Sequence, residues 1–428
     1  MAPIKSVRIQ PKRPVLEGAR HVHFRCVISE TSRRAVTLAP QPSCAHFGVT
    51  IDSCRLRRQP TTPAIMPYRL GFVMEQTLGH VTHAQNFQYW VAKDPDVVPT
   101  WMSVSFDAPN FWLPLVGHNW TLRASRQARA QVQDALRSEA LDGLFFHTQV
   151  VALLAHRVMA RIPTVVSMDA TPLNFDSIGS PYDHVPGNRP VEALKNALSR
   201  RTFNKARKLV SWHQWGKESL VRDYGVHADK VSVIPPGIDL DRWNFPREKG
   251  SGHTGPVRLL FVGGDFRRKG GDTLLKAFRR DLMKECEIDI VTREQVSTEG
   301  VINVRVHHGL GPNTPELMAL YARADVFIFP TLADTLPLAI MEAMASGLPV
   351  VTTRVGALTE EVEHGLTGFL VPPGDADALA EATLRLVKDP DLRRAMSIAG
   401  RRFADERFNG SRNYAGLLAL CKSCIDEG

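Results

Sequence analysis

Asp334 and Glu342 stand eight residues apart in "FPTLADTLPLAIMEAMASGLPVV" (Phe329–Val351), where an apolar strand pattern gives way to a helical one. An ionised carboxylate only accepts hydrogen bonds, so hydroxyls are its natural partners. The backbone N–H groups around Thr335–Leu338 open a helix, a setting that binds phosphate. A ligand with both a polyol and a phosphate suits this mixture. Pro337 fits the first helical position, which puts Asp334 in the loop, Thr335 near the cap and Glu342 about one and a half turns in. Capping the helix is the alternative role for Asp334. Glu342 lies among Leu338, Met341, Ala343, Met344 and Ala345, so a structural Glu there needs a buried partner.

A second cluster, "FVGGDFRRKGG" (Phe261–Gly271), joins a strand, a Gly turn, a basic run and a helix start. Gly263 and Gly264 let the backbone approach a ligand closely. Arg267, Arg268 and Lys269 add cations beside a helix N-terminus that already favours an anion. The bland alternative is a solvated basic turn. No GxxxxGK[ST] phosphate loop is present. In the first half, His80 and His83 of "EQTLGHVTH" have helical spacing but no nameable third metal ligand, so packing is favoured over a metal site. Trp90, Trp101, Trp112 and Trp120 cluster by sequence and suit either core packing or stacking on sugar rings.

The elements that must position these residues alternate. "YRLGFVM", "ALDGLFFHTQ", "IPTVVSMDA", "KLVSWH" and "KVSVIPPGID" read as strands. "HTQVVALLAHRVMAR" and "RPVEALKNALSRRTFNKA" read as helices between them. A Pro/Gly/charge-rich stretch around Ile234–Arg258 suggests a linker. A second series follows: strands "VRLLFVGG", "EIDIVT", "INVRVH", "DVFIFP" and "PVVTT", with helices "GGDTLLKAFRRDL", "TPELMALYARA" (capped by Thr314, Pro315 first) and "PLAIMEAMASG". This is an α/β pattern of two doubly wound domains, with a ligand cleft at the carboxyl ends of the strands.

Bulk properties narrow the function. The chain of 428 residues, 43% apolar and 23% charged, is long enough for about two domains. Of its net charge of +9, residues 1–65 carry +8, so the body is nearly neutral and nucleic acid is not an expected partner. That basic leader shows no strand or helix period and no secretory h-region; it reads as a disordered or targeting tail, or as a start assigned too early, before Met66. Of six cysteines, Cys26, Cys44 and Cys54 lie in the leader, Cys286 is alone, and Cys421 and Cys424 in "CKSC" have metal or redox spacing but no second pair, so two packed thiols are favoured. A reduced, cytoplasmic protein is expected.

"VSVIPPGIDLDRW", "LLFVGGDFRRKGGDTLLKAF" and "ADVFIFPTLADTLPLAIMEAMASGLPVVTTRVGALTEEVEHGLTGFLVPPGD" resemble the retaining, nucleotide-sugar-dependent glycosyltransferases of the GT-B fold, family 4 type. The resemblance is nearly continuous from Val231 to Phe408 and looser over Met66–Tyr224. It implies a leader (1–65), an N-terminal Rossmann-like acceptor domain (66–230), a C-terminal Rossmann-like donor domain (231–408) and a final helix (409–428) packing back on the first domain. Asp334 and Glu342 match the two acids of the family's E-x7-E motif, the first facing the donor sugar and the second the ribose. Thr335, Leu336 and Pro337 would face sugar and diphosphate. Lys269 matches the family's lysine. Gly264 stands where the family usually has an arginine, with Arg268 as the nearest replacement. Asp169, in "PTVVSMDATP", falls where many relatives carry a strand-end His, and His147 of "DGLFFHTQ" matches a second one. Gly79 matches a loop approaching the donor phosphates. His308, with His307 beside it in "VHHG", would lie near the nucleobase.

The resemblance implies transfer of a sugar from a nucleoside-diphosphate sugar to a glycan, lipid or small-molecule acceptor, with Asp169, Lys269 and Asp334 as catalytic residues. No metal or other cofactor is implied, and a lipid acceptor would bring peripheral membrane contact. A nucleotide-sugar epimerase and a non-catalytic nucleotide-sugar-binding protein are the alternatives. A phosphorylase of this fold lacks an identifiable Schiff-base lysine, and no GxGxxG supports a dehydrogenase.

Overall fold

β-Branched and aromatic runs between helical segments form two parallel sheets in the computed structural model, which describes residues 66–77, 79–105, 119–182, 187–245 and 255–427. The leader 1–65 and Trp112 lie outside the described residues. The first sheet contains β1 (Tyr68–Gln76), β2 (Val97–Ser105), β3 (Gly143–His147), β4 (Thr164–Met168), β5 (Lys208–Ser211) and β6 (Val231–Val233), ordered β2-β1-β3-β4-β5-β6. β3 and β4 are buried along their whole length, as strands covered on both faces require. β2 has no counterpart in the expected strand set. It contains Pro99 and forms a sheet edge, a position where a residue without an N–H is tolerated.

The second sheet contains β7 (Val257–Val262), β8 (Cys286–Val291), β9 (Val304–His307), β10 (Val326–Phe329), β11 (Val350–Thr353) and β12 (Gly368–Val371), ordered β12-β11-β10-β7-β8-β9. β12 is again an unanticipated edge strand. Helix Pro315–Arg323 begins as its sequence predicts, with Thr314 accepting from the Leu317 N–H. The segment after β3 is instead two short helices, Gln149–Ala152 and His156–Met159, rather than one.

Each sheet has one switch point, where successive strands run off in opposite directions: between β1 and β3, and between β7 and β10. Ligand crevices form at such points. Two chain crossings join the domains side by side. Ile238 N–H donates to the Phe408 carbonyl and Gly410 N–H to the Ile238 carbonyl, both at 2.9 Å. A Cβ on Gly237 would lie 2.4 Å from the Gly410 Cα, so this approach needs glycine. Helix Gly410–Asp426 then returns to the first sheet. Tyr414 stacks on Phe87 at 5.3 Å, and Leu417, Leu418, Cys421 and Cys424 complete that core. The two cysteines are buried free thiols, and Cys286 is a third. Trp101 stacks on Phe72 at 4.6 Å, while Trp90 and Trp120 pack against their cores, so these three are packing residues.

Candidate active site

The turn after β7 lies at the second switch point. Gly270 has φ 81°, and a Cβ there would fall 1.8 Å from the Pro330 carbonyl oxygen, which locks this turn against the loop after β10. The neighbouring Lys269 ammonium thereby meets the Asp334 carboxylate in an ion pair. Burial holds the Lys269 ammonium below its usual range, with Asp334 partly offsetting it. Arg268 is buried; its guanidinium donates to Asp265 (2.8 Å) and to the Ala333 carbonyl (2.9 Å). A Cβ on Gly263 would touch Lys269 at 3.0 Å, and one on Gly264 would fall 2.8 Å from Arg293 Nε.

The opening helix spans Leu338–Ala345, with Pro337 at the N-cap rather than the first helical position and no side-chain cap. The Pro337 backbone is still extended (ψ 121°), so the helix starts one residue later than the proline rule suggests. Asp334 does not cap it: its carboxylate takes the Thr335 N–H at 3.1 Å as well as Lys269. Thr335, Leu336 and Pro337 are buried beside it. Glu342 does have a buried partner, the Tyr321 hydroxyl, which donates at 3.0 Å. Burial raises the Glu342 carboxyl to about 7, against the lowering effect of that bond. His308 Nδ1 lies 3.0 Å from the Thr292 carbonyl, while His307 binds Asp289 at 2.7 Å within a cluster that includes Arg305 and Arg323.

The first-domain wall centres on Asp169, just after β4. Gly79 is the N-cap of helix His80–Val91, and a side chain there would meet nothing within 4 Å. His80, next to it, reaches Asp169 (3.4 Å) and Glu75 (3.6 Å). Burial would lower the His80 imidazole, but the two carboxylates lift it to about 10, so it is a cation at neutral pH. Burial would likewise raise Asp169, yet the His80 charge holds its carboxyl below the usual range. His213 fixes the backbone here: Gly216 N–H donates to its Nδ1 (2.8 Å), leaving Nε2–H to donate to the Asp169 carbonyl (2.5 Å). His83 and His147 sit behind, with ring centroids 4.6 Å apart. Burial and the nearby His80 push His83 down to about 3, and burial pushes His147 far down, so both are neutral. Among the described residues no group of three or more His, Cys, Asp or Glu could hold a metal.

The two walls meet. The Thr335 hydroxyl donates to Asp169 at 3.2 Å. The Arg268 guanidinium lies 4.2 Å over the Tyr182 ring. Glu360 accepts the N–H groups of Gln214 and Trp215, each at 2.7 Å, so one domain supplies a carboxylate to a helix start in the other. The structure thus gathers Asp169, Lys269, Arg268, Asp334 and Thr335 at one point, with Gly263 and Gly264 adjoining. Sequence reading missed Glu75 and Tyr182, the charge on His80, and Glu361. Glu361 is fully buried with neither carboxylate oxygen bonded, and burial and Asp334 raise it well above the usual range. The doubled acid in "TEEVEHG" was the available signal.

Comparison with known proteins gives two family models. One, glycosyl transferases group 1, matches residues 256–389; the other, Glycosyltransferase Family 4, matches residues 73–242. The D-inositol 3-phosphate glycosyltransferase of Pseudarthrobacter chlorophenolicus is 31% identical over 263 residues, 56% of this chain and 61% of that protein. The MMP alpha-(1->4)-mannosyltransferase of Mycolicibacterium hassiacum is 31% identical over 240 residues, 53% of this chain and 57% of that protein. The chain thus spans about three-fifths of the length of these curated relatives. The sucrose-phosphate synthase structure from Thermosynechococcus elongatus superposes with a TM-score of 0.64 at 17% identity, covering 84% of this chain and all of that one.

Proposed function

The chain belongs to the GT-B-fold glycosyltransferases of the group 1, family 4 type, and we propose that it transfers a sugar from a nucleoside-diphosphate sugar to an acceptor hydroxyl, with retention of configuration and without a metal or other cofactor. The observation that carries this reading is the Lys269–Asp334 pair lying at the point where Thr335 reaches across to Asp169. A cation for phosphate, a carboxylate for sugar hydroxyls and the opposite wall then meet at one place.

In this reading the diphosphate gains negative charge as the bond to the sugar breaks. Lys269 and Arg268, with the backbone at Thr335–Leu338, meet that charge in a site from which water is excluded. Each well-placed donor of this kind lowers the barrier by about 3–4 kcal/mol. Asp334 accepts sugar hydroxyls once Lys269 turns to phosphate. Glu342 accepts from the ribose, and His308 and Gly79 line the donor. Asp169, held ionised by His80, faces the positive charge that develops on the reacting sugar, and attack on the face the leaving group vacates gives retention. The relatives named for an inositol phosphate make a small phosphorylated polyol the first acceptor to assay, ahead of glycans and lipids. Among the described residues no helix is long and apolar enough to cross a membrane; a cytoplasmic location, with peripheral membrane contact for a lipid acceptor, belongs to the same proposal.

The test is a thermal-shift screen against uridine, guanosine and adenosine diphosphate sugars, followed by donor hydrolysis and transfer assays on the hit. One donor should raise the melting temperature and be consumed. Stabilisation without turnover would favour a non-catalytic nucleotide-sugar-binding protein.

A further inference from the structure

We propose that Arg293 is a diphosphate ligand of this site, a guanidinium delivered from the neighbouring strand into the space that Gly264 leaves unfilled. The inference rests on the donor reading above.

β8 ends at Val291, and the chain at once ties itself to the Gly turn. The Arg293 N–H donates to the Gly264 carbonyl (3.4 Å), and the Thr292 hydroxyl approaches the same oxygen (3.5 Å). The side chain then lies over Gly264: a Cβ there would fall 2.8 Å from Nε, 3.0 Å from Nη2 and 3.2 Å from Cζ. Real Cβ atoms do not approach that closely, so a side chain at position 264 would have to displace this guanidinium from where it lies. One residue earlier, a Cβ on Gly263 would fall 3.0 Å from the Lys269 Cβ and Cγ. The two glycines therefore make room for two cationic side chains, one from the turn itself and one from the adjoining strand end.

Charge accounting makes Arg293 more than a neighbour. Lys269 is paired with Asp334, and Arg268 with Asp265. Glu294, next to Arg293, gives its carboxylate to the Phe266 N–H (3.0 Å). The basic run thus arrives at the site largely neutralised. Arg293 is exposed and has no ion-pair partner among the described residues. A departing diphosphate carries more than one negative charge, and a planar guanidinium can bind its oxygens in pairs. A cation with no carboxylate to surrender binds it without breaking an existing pair.

Arg267 supplies the control, because it is an exposed cation of the same turn with no glycine opened beneath it. Calorimetry on the full chain with inorganic pyrophosphate, and in parallel with uridine, guanosine and adenosine diphosphates, would compare wild type with Arg293→Gln, Arg267→Gln and Lys269→Ala, each checked for an unchanged melting profile. Arg293→Gln should weaken binding about tenfold or more, as loss of a charged hydrogen bond does, while Arg267→Gln should stay near wild type. Wild-type affinity in Arg293→Gln, with binding lost in Lys269→Ala, overturns the proposal and leaves the donor reading standing. Equal losses in Arg293→Gln and Arg267→Gln also overturn it, since they report general charge. If the wild-type chain binds none of the four, the donor reading fails and this proposal with it.

Discussion

On the second-domain wall of the cleft, charge is held as separate pairs on loops: Lys269 with Asp334, Arg268 with Asp265. On the first-domain wall one imidazolium, His80, lies between two carboxylates, Glu75 and Asp169, and is backed by two neutral imidazoles, His83 and His147. The difference is one of exchangeability. A lysine on a flexible stem can leave Asp334 for an incoming phosphate and return. His80 is held between both carboxylates, and its movement would leave each without its cation, so its wall keeps a fixed charge pattern. One wall is built to trade partners with a ligand, the other to present an unchanging field to it.

The strongest way to break this comparison is Lys269→Ala. If Lys269 trades Asp334 for the leaving group, turnover should fall about 100-fold to 1000-fold, the range for loss of one transition-state donor. Initial rates of donor hydrolysis and transfer would measure it, and full activity would sink the phosphate role.

The fixed wall predicts a pH signature in stability rather than in rate. His80 is raised to about 10 from an ordinary value near 6.5, so its contribution is complete below about 6.5 and is lost as pH climbs toward 10. His83 runs the other way. Depressed to about 3, it stabilises above about 6.5 and loses that contribution as pH falls toward 3. Thermal midpoints across pH should therefore decline on the alkaline side in wild type, and His80→Gln should start lower and lack that decline. A flat alkaline limb in wild type would show that His80 is not the shared cation.

The smallest expected effect sharpens the trading wall. Glu342→Gln should weaken nucleotide binding about tenfold if the carboxylate accepts from the ribose. Because Glu342 is raised to about 7, affinity should improve as pH rises through neutrality, and Tyr321→Phe, which removes the lowering hydrogen bond, should shift that rise to higher pH. Affinity by calorimetry that does not change between about pH 6 and 8 would make Glu342 structural.

These walls also differed in how readily they could be read from sequence. The second-domain residues fall within two short stretches, Gly263–Lys269 and Asp334–Glu342, each beside a strong apolar strand pattern, so local spacing carries most of the spatial information. Glu75, His80, His147, Asp169 and His213 meet only because the ends of β1, β3, β4 and β5 lie together in the parallel sheet. No local spacing encodes that. The missed strands, β2 and β12, are both edges: β2 carries Pro99, which an edge tolerates, and β12 is only the four residues GFLV, too short a run to stand out by pattern. Pro337 misled by one residue, because its fixed φ suits the N-cap as well as the first helical turn.

The return of helix Gly410–Asp426 to the first sheet fixes an order of events during synthesis. Tyr414, Leu417, Leu418, Cys421 and Cys424 belong to the same core as Leu70, Phe72 and Phe87. Emerging from the ribosome, the first domain lacks one side of that core until helix Gly410–Asp426 is made, whereas the second domain has all its strands by Val371. The half of the chain synthesised first is therefore the half that finishes folding last, and a nascent chain would expose that unfilled apolar face throughout translation of its partner domain.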